Sequence, residues 1–494
     1  MAEKKQAVII GAGIGGLTTA TYLARNGYKV DLYEKHIEPG GRCGQVIRDG
    51  HRFDLGATMM LMPDIYHNVF NSLGIKLEPG TDIFPLENLY TIYYDDGSRL
   101  AFTTDSEKMK LQLEKIEKGS FERSEKFISS GYKIFKLGID RLINRNFYHL
   151  FQMVNFSNAG LLFRLKVFIS NWNYAKRFFR HPHLMMAYTF QNIYVGQSPF
   201  DSPALFSMVP AAEIREGSFF VKGGMFGIVQ KLLSAAEFSG VQIHLNKAVT
   251  DIRIRNRKAE GLLLEDGTFK EADVVVANAD LPYVYDKLLH DKKKTKHLSR
   301  MKYSCSAVCL HWGLDKAYPG LDHHNVFLSD NFREGFNKIF IDKTISDTPS
   351  FYIHAPARTD SDAAPEGQDS LSFIISTGHI DSSKVQDWGE IRQKAHNYVV
   401  ERLKKAGFTD IEDHIKFEIA YTPESWESAC NVSRGSVFGS LGHNILQMGY
   451  FRPHNRHDRV HNMYFVGGST HPGNGIPNVL MSAKLVAERI ISGK

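Results

Sequence analysis

Residues 6–35 read QAVIIGAGIGGLTTATYLARNGYKVDLYEK, and this stretch predicts how the chain begins to fold. The apolar run Gln6–Ile10 has the length of a strand, and the apolar residues after it recur at helical spacing. Gly27 stands where that helix has to end in a residue with positive φ. A second strand then finishes at Glu34. The stretch therefore predicts a strand–helix–strand unit of an α/β fold.

The glycines between the first strand and the helix form a GxGxxG motif, which predicts a dinucleotide site. Without side chains, the backbone N–H groups can approach a pyrophosphate at the positive end of the helix. An acid at the end of the second strand accepts hydrogen bonds from ribose hydroxyls, so Glu34 favours FAD or NAD over NADP. The residues expected to bind the dinucleotide here are Gly11, Ala12, Gly13, Gly15, Gly16, Glu34 and Lys35.

A second glycine pair with an arginine follows in EPGGRCG, residues 38–44, and RFDLGATMM follows at 52–60. An NAD dehydrogenase does not need this array after its acid. The array resembles the FAD-binding fold of the flavin amine oxidases, the carotenoid desaturases and their relatives. That resemblance implies an arginine over the FAD phosphates and a later stretch that lines the flavin with backbone. The residues concerned are Gly41, Arg42, Gly56, Thr58 and Met59.

The dinucleotide pattern returns after residue 218. A helix is expected from Gly227, followed by strands at 241–245, 249–254 and 261–264 and by DVVVANA at 273–279. In the superfamily that this pattern resembles, a second part of the chain completes the FAD domain. The resemblance implies that the backbone of Val249 meets the adenine and that Asn278 returns to the cofactor.

Residues 462–491, NMYFVGGSTHPGNGIPNVLMSAKLVAERII, resemble a third strand that arrives at the cofactor, followed by a helix. A glycine-rich loop lets backbone approach the flavin, and Pro477 suits the first turn of the helix. The positive N-terminus of that helix would face the edge of the flavin that becomes anionic on reduction. The residues expected at the flavin are Gly467, Gly468, Gly475 and Ile476.

The glycine-rich residues 470–477, together with GGRCG and FDLGATMMLMPD, closely resemble the bacterial phytoene desaturase family, and the resemblance runs from end to end. The family dehydrogenates carotenoids with FAD. Its proline before a glycine pair is replaced here by Val221 in GSFFVKGGM, a departure that bears on how substrate is held. Within the family the chain is most similar to hydroxycarotenoid 3,4-desaturases.

The resemblance implies that hydride passes from an acyclic or hydroxylated carotenoid to the flavin, while a proton leaves to water or a weak base. No strong base is needed, so no catalytic residue is assigned. Glu213 and Arg215 are candidates, although a surface ion pair explains both more simply. Oxygen and a membrane quinone both remain as the terminal acceptor.

Three alternatives remain on this scaffold. A carotenoid isomerase would use reduced flavin without net oxidation, and another flavin oxidase would accept a different substrate. A lipid-binding escort protein of the GDI type would lack flavin. The retention of Gly11, Glu34 and Arg42 argues against the escort, because a protein without cofactor has no need for phosphate contacts.

Residues 141–200 contain no Asp or Glu, seven Lys or Arg and 14 aromatic residues. Within them, residues 161–180 place apolar side chains at helical spacing, with basic residues away from that stripe. Such a basic amphipathic helix is typical of a segment on an anionic bilayer surface, and a helix that packs on the core is the alternative. The stripe comprises Leu161, Leu165, Phe168, Trp172, Ala175 and Phe179.

The length and composition of the chain limit the number of lobes and the kinds of partner and site that are expected. With 494 residues, 43% of them hydrophobic and 23% charged, the chain is long enough for two or more lobes. A net charge of +6 does not indicate nucleic acid. The four cysteines include no CxxC pair, so neither a disulfide nor a metal site is expected.

The combined expectation is an α/β FAD-binding, Rossmann-like domain built from residues 1–70, 215–300 and 455–494. A mixed α+β substrate lobe would use residues 71–214 and 301–454. Because no signal peptide and no spanning segment are recognisable, the expected location is the cytoplasm, peripheral on the inner face of the membrane.

Overall fold

The computed structural model describes residues 4–153 and 156–493. Its strands are β1 (Gln6–Ile10), β2 (Lys29–Tyr33), β3 (Gln45–Arg48), β4 (His51–Asp54), β5 (Ile83–Pro85), β6 (Asn88–Tyr93), β7 (Arg99–Thr103), β8 (Phe219–Val221), β9 (Gln242–His244), β10 (Val249–Arg255), β11 (Lys258–Leu264), β12 (Phe269–Glu271), β13 (Val274–Ala277), β14 (Ser306–Leu314), β15 (His324–Phe327), β16 (Phe351–His354), β17 (Asp369–Thr377), β18 (Ile415–Tyr421) and β19 (Met463–Phe465).

The α-helices are α1 (Ile14–Arg25), α2 (Pro63–Ser72), α3 (Ser106–Ile116), α4 (Ser120–Gly138), α5 (Phe156–Arg164), α6 (Asn171–Ala175), α7 (Pro182–Ala187), α8 (Met208–Glu216), α9 (Phe226–Phe238), α10 (Leu281–Tyr283), α11 (Lys292–Ser299), α12 (Phe332–Asn337), α13 (Trp388–Lys405), α14 (Pro423–Cys430) and α15 (Ile476–Ser492). Short 3₁₀ and π turns connect several of them.

A five-stranded parallel sheet forms the first lobe, in the order β19–β13–β1–β2–β9. Its central strands, β1 and β13, are almost continuously apolar because both faces of the sheet are covered. Helices α1, α9 and α15 pack on one face, and strands β10 and β11 pack on the other. Helix α1 packs against α9 and α15. The antiparallel strands β10, β11 and β12 form a separate small sheet. This architecture confirms the expected α/β dinucleotide fold.

The strands of the parallel sheet come from three distant parts of the chain, all within the ranges 1–70, 215–300 and 455–494. The lobe boundaries themselves remain a prediction. Gly27 has a φ of +86° just after α1, as expected for the residue that ends that helix. Pro477 lies in the first turn of α15, which also agrees with the prediction.

A seven-stranded mixed sheet forms the second lobe, in the order β18–β14–β17–β16–β15–β6–β7. Its neighbours are antiparallel except for β15 and β6, which run parallel. Every residue of β14 is buried, because α13 packs on one side of it and the first lobe on the other. The expected mixed α+β lobe is therefore present.

The prediction of a single amphipathic helix over residues 161–180 is wrong. Helix α5 ends at Arg164, Lys166 takes a left-handed conformation with φ of 53°, and α6 begins only after Ser170. The Ser170 hydroxyl accepts from the Asn173 N–H and caps the new helix, so local chemistry interrupts the helical spacing. Of the described helices, none is both long and apolar enough to cross a bilayer.

Candidate cofactor and substrate site

A cavity of about 600 Å³ lies between the parallel sheet and the mixed sheet. All but two of the residues expected at the cofactor line it. These lining residues are Gly11, Gly13, Gly15, Glu34, Lys35, Gly41, Arg42, Gly56, Thr58, Met59, Val249, Asn278, Gly467, Gly468, Gly475 and Ile476. The exceptions within the described chain are Ala12 and Gly16. Both stabilise the glycine loop without lining the cavity, Ala12 through its hydrogen bond to Glu34 and Gly16 through its packing against Gly11.

Gly16 is required by packing inside the loop. A Cβ added at Gly16 would lie 2.0 Å from the carbonyl oxygen of Gly11, so no other residue fits there without moving the loop. Gly11 itself has a φ of +92°, a conformation that glycine adopts at little cost. Gly11 and Gly16 therefore shape the turn, and Gly13 and Gly15 line the cavity.

Glu34 is positioned by the end of β2 and by the loop beside it. Its carboxylate accepts hydrogen bonds from the Ala12 N–H at 2.8 Å and from the His36 N–H at 3.0 Å. Ala12 therefore acts through its backbone in holding this acid. The carboxylate is buried at the cavity wall and fixed by two backbone donors.

Asn278 joins the second part of the chain to the first glycine loop. It follows β13, and its side-chain amide donates to the Gly11 carbonyl at 3.1 Å. The same amide lies close to Gly13, Gly15 and Gly16. Asn278 thus both lines the cavity and supports the loop.

Arg42 and the third part of the chain meet at one point. A Cβ added at Gly468 would lie 3.3 Å from Arg42 Nη2. Arg42 Nη1 donates to the Val437 carbonyl at 3.0 Å. The three parts of the chain that the sequence predicts to converge are therefore in contact around the cavity.

Asp280 is a buried carboxylate beside this arginine. Burial raises its pKa, and hydrogen bonds from the Ser440 hydroxyl and the Ser433 N–H, together with the charge of Arg42, offset part of that rise. Its Oδ1 atom is buried at the cavity and has no hydrogen-bond partner among the described residues. An unpaired buried oxygen is costly unless a ligand supplies a donor.

The glycine-rich loop 467–475 is held by the buried guanidinium of Arg452. Arg452 Nε donates to the Thr470 carbonyl at 2.9 Å, and its Nη2 donates to the Gly468 carbonyl at 2.5 Å. The same guanidinium also donates to the carbonyls of Leu441, Gly442 and Gln447. One side chain thereby joins the loop to residues 441–447.

These features fit a flavin dinucleotide. A Cβ at Gly41 or Gly475 would meet none of the described atoms within 4 Å, so the space beside both glycines is open. The N-termini of α1 and α15 both reach the cavity, and each presents backbone donors and a partial positive charge. The buried oxygen of Asp280 can accept from a hydroxyl of the cofactor.

The part of the cavity that faces the second lobe is apolar. Aromatic and aliphatic side chains from both lobes form its wall, which suits a hydrocarbon rather than a polar substrate. The residues of this wall include Met62, Phe190, Leu205, Phe206, Val326, Leu328, Phe332, Phe336 and Ile339. Thr58 marks the border, where its Oγ1 lies 2.7 Å from the hydroxyl of Tyr352.

Sequence reasoning missed the segment 429–439, of which residues 429–432 and 437–438 line the cavity although they were assigned to the substrate lobe. Lys35 Nζ donates to the Ser428 carbonyl and to Asn431 Oδ1, and Arg42 donates to Val437 as described. Gly435 and Gly439 turn the chain here with positive φ, but no periodic pattern in the sequence links this segment to the cofactor.

Glu213 and Arg215, the two candidate catalytic residues, differ in their exposure to solvent. Arg215 forms the expected exposed ion pair, with Glu125 at 2.7 Å. The expected surface position of Glu213 is wrong, because its carboxylate is buried among the hydroxyls of Tyr90 and Tyr194 at 3.2 and 3.4 Å. Burial raises the pKa of Glu213 to about 8, while the hydrogen bonds lower it in part. Tyr194 lines the cavity and Glu213 lies behind it.

Known proteins provide an independent comparison. Residues 14–491 match the family of flavin-containing amine oxidoreductases. The chain is 35% identical to a phytoene desaturase of Fusarium fujikuroi over 99% of this chain and 89% of that protein. It is 36% identical to a zeta-carotene-forming phytoene desaturase of Myxococcus xanthus over 99% of this chain and 94% of the relative.

A solved oxidoreductase from Methanosarcina mazei has the same fold, with a TM-score of 0.67 and 16% identity over 98% of this chain and all of that one. The family match and the relatives agree with the convergence of three glycine-bearing segments on one cavity. The chain belongs to the flavin-containing amine oxidoreductases and, within them, to the carotenoid desaturases.

Proposed function

We propose that this protein uses FAD to introduce C=C bonds into an acyclic or hydroxylated carotenoid, with 3,4-desaturation of a hydroxycarotenoid as the preferred reaction. The observation that carries the proposal is the single cavity in which glycine loops from three parts of the chain meet an apolar wall. Its polar end fits a dinucleotide and its apolar end fits a polyene chain.

The residues of the site have distinct tasks. Glu34, at the end of β2, would offer acceptors for ribose hydroxyls, and the N-terminus of α1 would hold the pyrophosphate. Arg42 would neutralise phosphate charge, and the N-terminus of α15 would favour negative charge on a flavin bound in the cavity. When bound, FAD supplies the acceptor for the hydride that leaves the substrate.

The apolar wall positions the substrate and excludes water. A rigid polyene needs few polar contacts, so alignment across the ring is the main contribution of the protein. Once the hydride has left one carbon, the cation is spread along the polyene, and the neighbouring carbon is acidic enough to lose its proton to water or a weak base, which completes the new C=C bond. This agrees with a described apolar wall in which the polar groups are mostly hydroxyls and neutral imidazoles, such as Tyr352 and His443.

The test is a substrate panel with the purified protein. We expect FAD on extraction and chromatography, and bleaching of the flavin absorbance on anaerobic mixing with a carotenoid substrate. Acyclic, hydroxylated and cyclised carotenoids are compared, and each added double bond shifts product absorbance to the red. A product with unchanged conjugation would instead indicate an isomerase. A protein that stays colourless with added FAD would overturn the proposal and favour the escort alternative.

We further propose that the protein lies on the inner face of a membrane, where it takes up carotenoid. Phe163 and Phe168 are exposed, their rings are 5.3 Å apart, and Arg164 and Lys166 lie between them in the sequence. Exposed aromatic residues beside basic ones are typical of contact with an anionic bilayer. Oxygen and a membrane quinone are both proposed as the terminal acceptor, and anaerobic turnover with added quinone distinguishes them.

The position of this patch relative to the cavity supports the proposal. Leu161 and Leu165 belong to a buried apolar cluster with Leu205, against which Leu142 and Met448 pack. Leu142, Leu205 and Met448 also line the cavity. The patch therefore lies next to an apolar cluster that forms part of the cavity wall.

A further inference from the structure

Three buried histidines meet on neighbouring strands of the mixed sheet, away from the glycine loops. His323 precedes β15, His324 begins it, and His354 ends β16 opposite His324. All three are at least nine-tenths buried. One ring nitrogen from each lies within 4.8 Å of those of the other two.

The two nitrogens of each ring have different surroundings. His323 Nδ1 is bonded to the hydroxyl of Thr359 at 2.8 Å, and His324 Nδ1 to that of Tyr352 at 2.6 Å. The Nε2 atoms of His323 and His354 lie 3.1 Å apart. His324 Nε2 is buried and has no hydrogen-bond partner in the described part of the chain.

For His323 and His324 this pattern is that of histidine ligands held by outer partners, whereas His354 Nδ1 has no hydrogen-bond partner among the described residues. A ligating imidazole binds the ion through one nitrogen, and an oxygen commonly holds the other, which fixes the orientation of the ring. Thr359 and Tyr352 are in that outer position. Burial keeps the imidazoles neutral, since it lowers the pKa of His323 to about 3 and the pKa values of His324 and His354 well below the usual range.

We propose that His323, His324 and His354 bind one divalent metal ion of the zinc class through their Nε2 atoms. Imidazole is a preferred ligand of such ions, and three protein ligands leave a fourth position for water. Tetrahedral zinc, with Zn–N near 2.0–2.1 Å, separates its ligand nitrogens by about 3.3 Å. The 3.1 Å pair is already close to this separation. The remaining nitrogen has to move inward by at most ~1.5 Å.

The ion has a structural consequence for the cavity. It joins the end of β16 to the start of β15, and His324 holds the hydroxyl of Tyr352. That hydroxyl contacts Thr58 at the border between the apolar wall and the cofactor side. A bound metal therefore stiffens the wall at this point, independently of which carotenoid the cavity takes.

The test measures metal in the complete, flavin-loaded protein. The protein is incubated with Zn²⁺, separated from free metal by gel filtration, and analysed by mass spectrometry for zinc. We expect one equivalent of zinc per chain and an X-ray absorption spectrum with three imidazole nitrogens near 2.0 Å. His323→Gln and His354→Gln are expected to weaken zinc binding by at least about tenfold. His311→Gln is the matched control, because His311 is equally buried on β14 but bonds Ser372 outside the cluster.

Zinc well below one equivalent in the wild type would overturn the proposal. Equal zinc content in the wild type and in both cluster variants would also overturn it, since the ion would then sit on exposed histidines such as His461. Flavin content is measured in each variant as an independent check of folding. Should a cluster variant fail to fold, the absorption spectrum of the wild type decides the question alone. None of these readouts depends on activity towards a carotenoid.

Discussion

At the scale of single residues, Glu34 offers the sharpest test of the cofactor. Replacing it with alanine removes a fixed acceptor, and losing a charged hydrogen bond should weaken FAD binding by roughly 10- to 100-fold. Fluorescence titration of the apoprotein with FAD measures this change. Asp31→Asn is the control, because Asp31 lies on the same strand but bonds His244 and Gln6 away from the cavity. Equal affinities for all three proteins would contradict the assigned role.

Glu213 predicts a pH dependence of stability. Its folded pKa is raised from 4.5 to about 8, so its favourable contribution is complete below about pH 4.5 and is lost as the pH rises through 8. The full effect is roughly 3–5 kcal/mol. Glu213→Gln mimics the protonated acid. As the pH rises from 5 to 8, we expect the thermal midpoint of the wild type to fall relative to that of Glu213→Gln.

The control for this pH series is Glu125→Gln, which removes an exposed carboxylate on the facing helix α4 and should leave the pH dependence unchanged. Parallel pH profiles for the wild type and Glu213→Gln would show that the carboxyl is charged in the folded protein.

Individual residues differ in how far the sequence could predict them. The glycines and Glu34 were predictable because their spacing follows from the geometry of one strand–helix–strand unit. The burial of Glu213 was not, since its partner Tyr90 lies 123 residues away. The histidine cluster was not either, because His324 and His354 meet only through the pairing of β15 with β16.

At the scale of elements, the loop 467–475 depends on Arg452. Arg452→Met keeps much of the bulk but leaves five buried carbonyls without their donor, which should cost roughly 3–5 kcal/mol. We expect a lower thermal midpoint and loss of FAD during gel filtration. Arg456→Met is the control, because the side chain of that arginine donates to the His461 carbonyl near the surface and takes no part in holding the loop. Full retention of FAD in Arg452→Met would contradict this role.

Strands and helices were predicted correctly where the spacing of apolar residues stayed regular over the whole element. Strands β1, β10 and β13 and helices α9 and α15 lie where their patterns placed them. The error at residues 161–180 arose because apolar spacing alone does not report a left-handed residue such as Lys166 or a cap such as Ser170. The apolar positions of both short pieces still face the interior in part, since Leu161, Leu165, Ala175 and Phe179 are buried.

At the scale of the whole molecule, the exposed patch predicts membrane binding. Phe163→Ser combined with Phe168→Ser should weaken binding to anionic liposomes, measured by co-sedimentation, by roughly a hundredfold or more, because each exposed ring contributes about 1.5–3 kcal/mol when it enters apolar surroundings. FAD content should stay unchanged. Phe238→Ser is the matched control, since Phe238 is 93% exposed on α9, outside the patch. Unchanged liposome binding by the double variant would place the membrane contact elsewhere.

The whole-molecule arrangement was predictable only in outline. The resemblance of three separate stretches to one domain indicated that they converge, and the contact between Arg42 and Gly468 agrees with this. The contribution of residues 429–439 was not indicated, because a loop from one lobe that completes a site in the other has no periodic pattern.

The place of β19 in the parallel sheet has a consequence for biosynthesis. This edge strand pairs with β13 and leads into the glycine loop and α15, yet it is translated after all the other strands. While a ribosome is still reading the substrate lobe, the nascent chain lacks one side of the flavin cradle. A complete cofactor site therefore has to wait for these residues to emerge, and until then the edge of β13 that pairs with β19 has no partner strand.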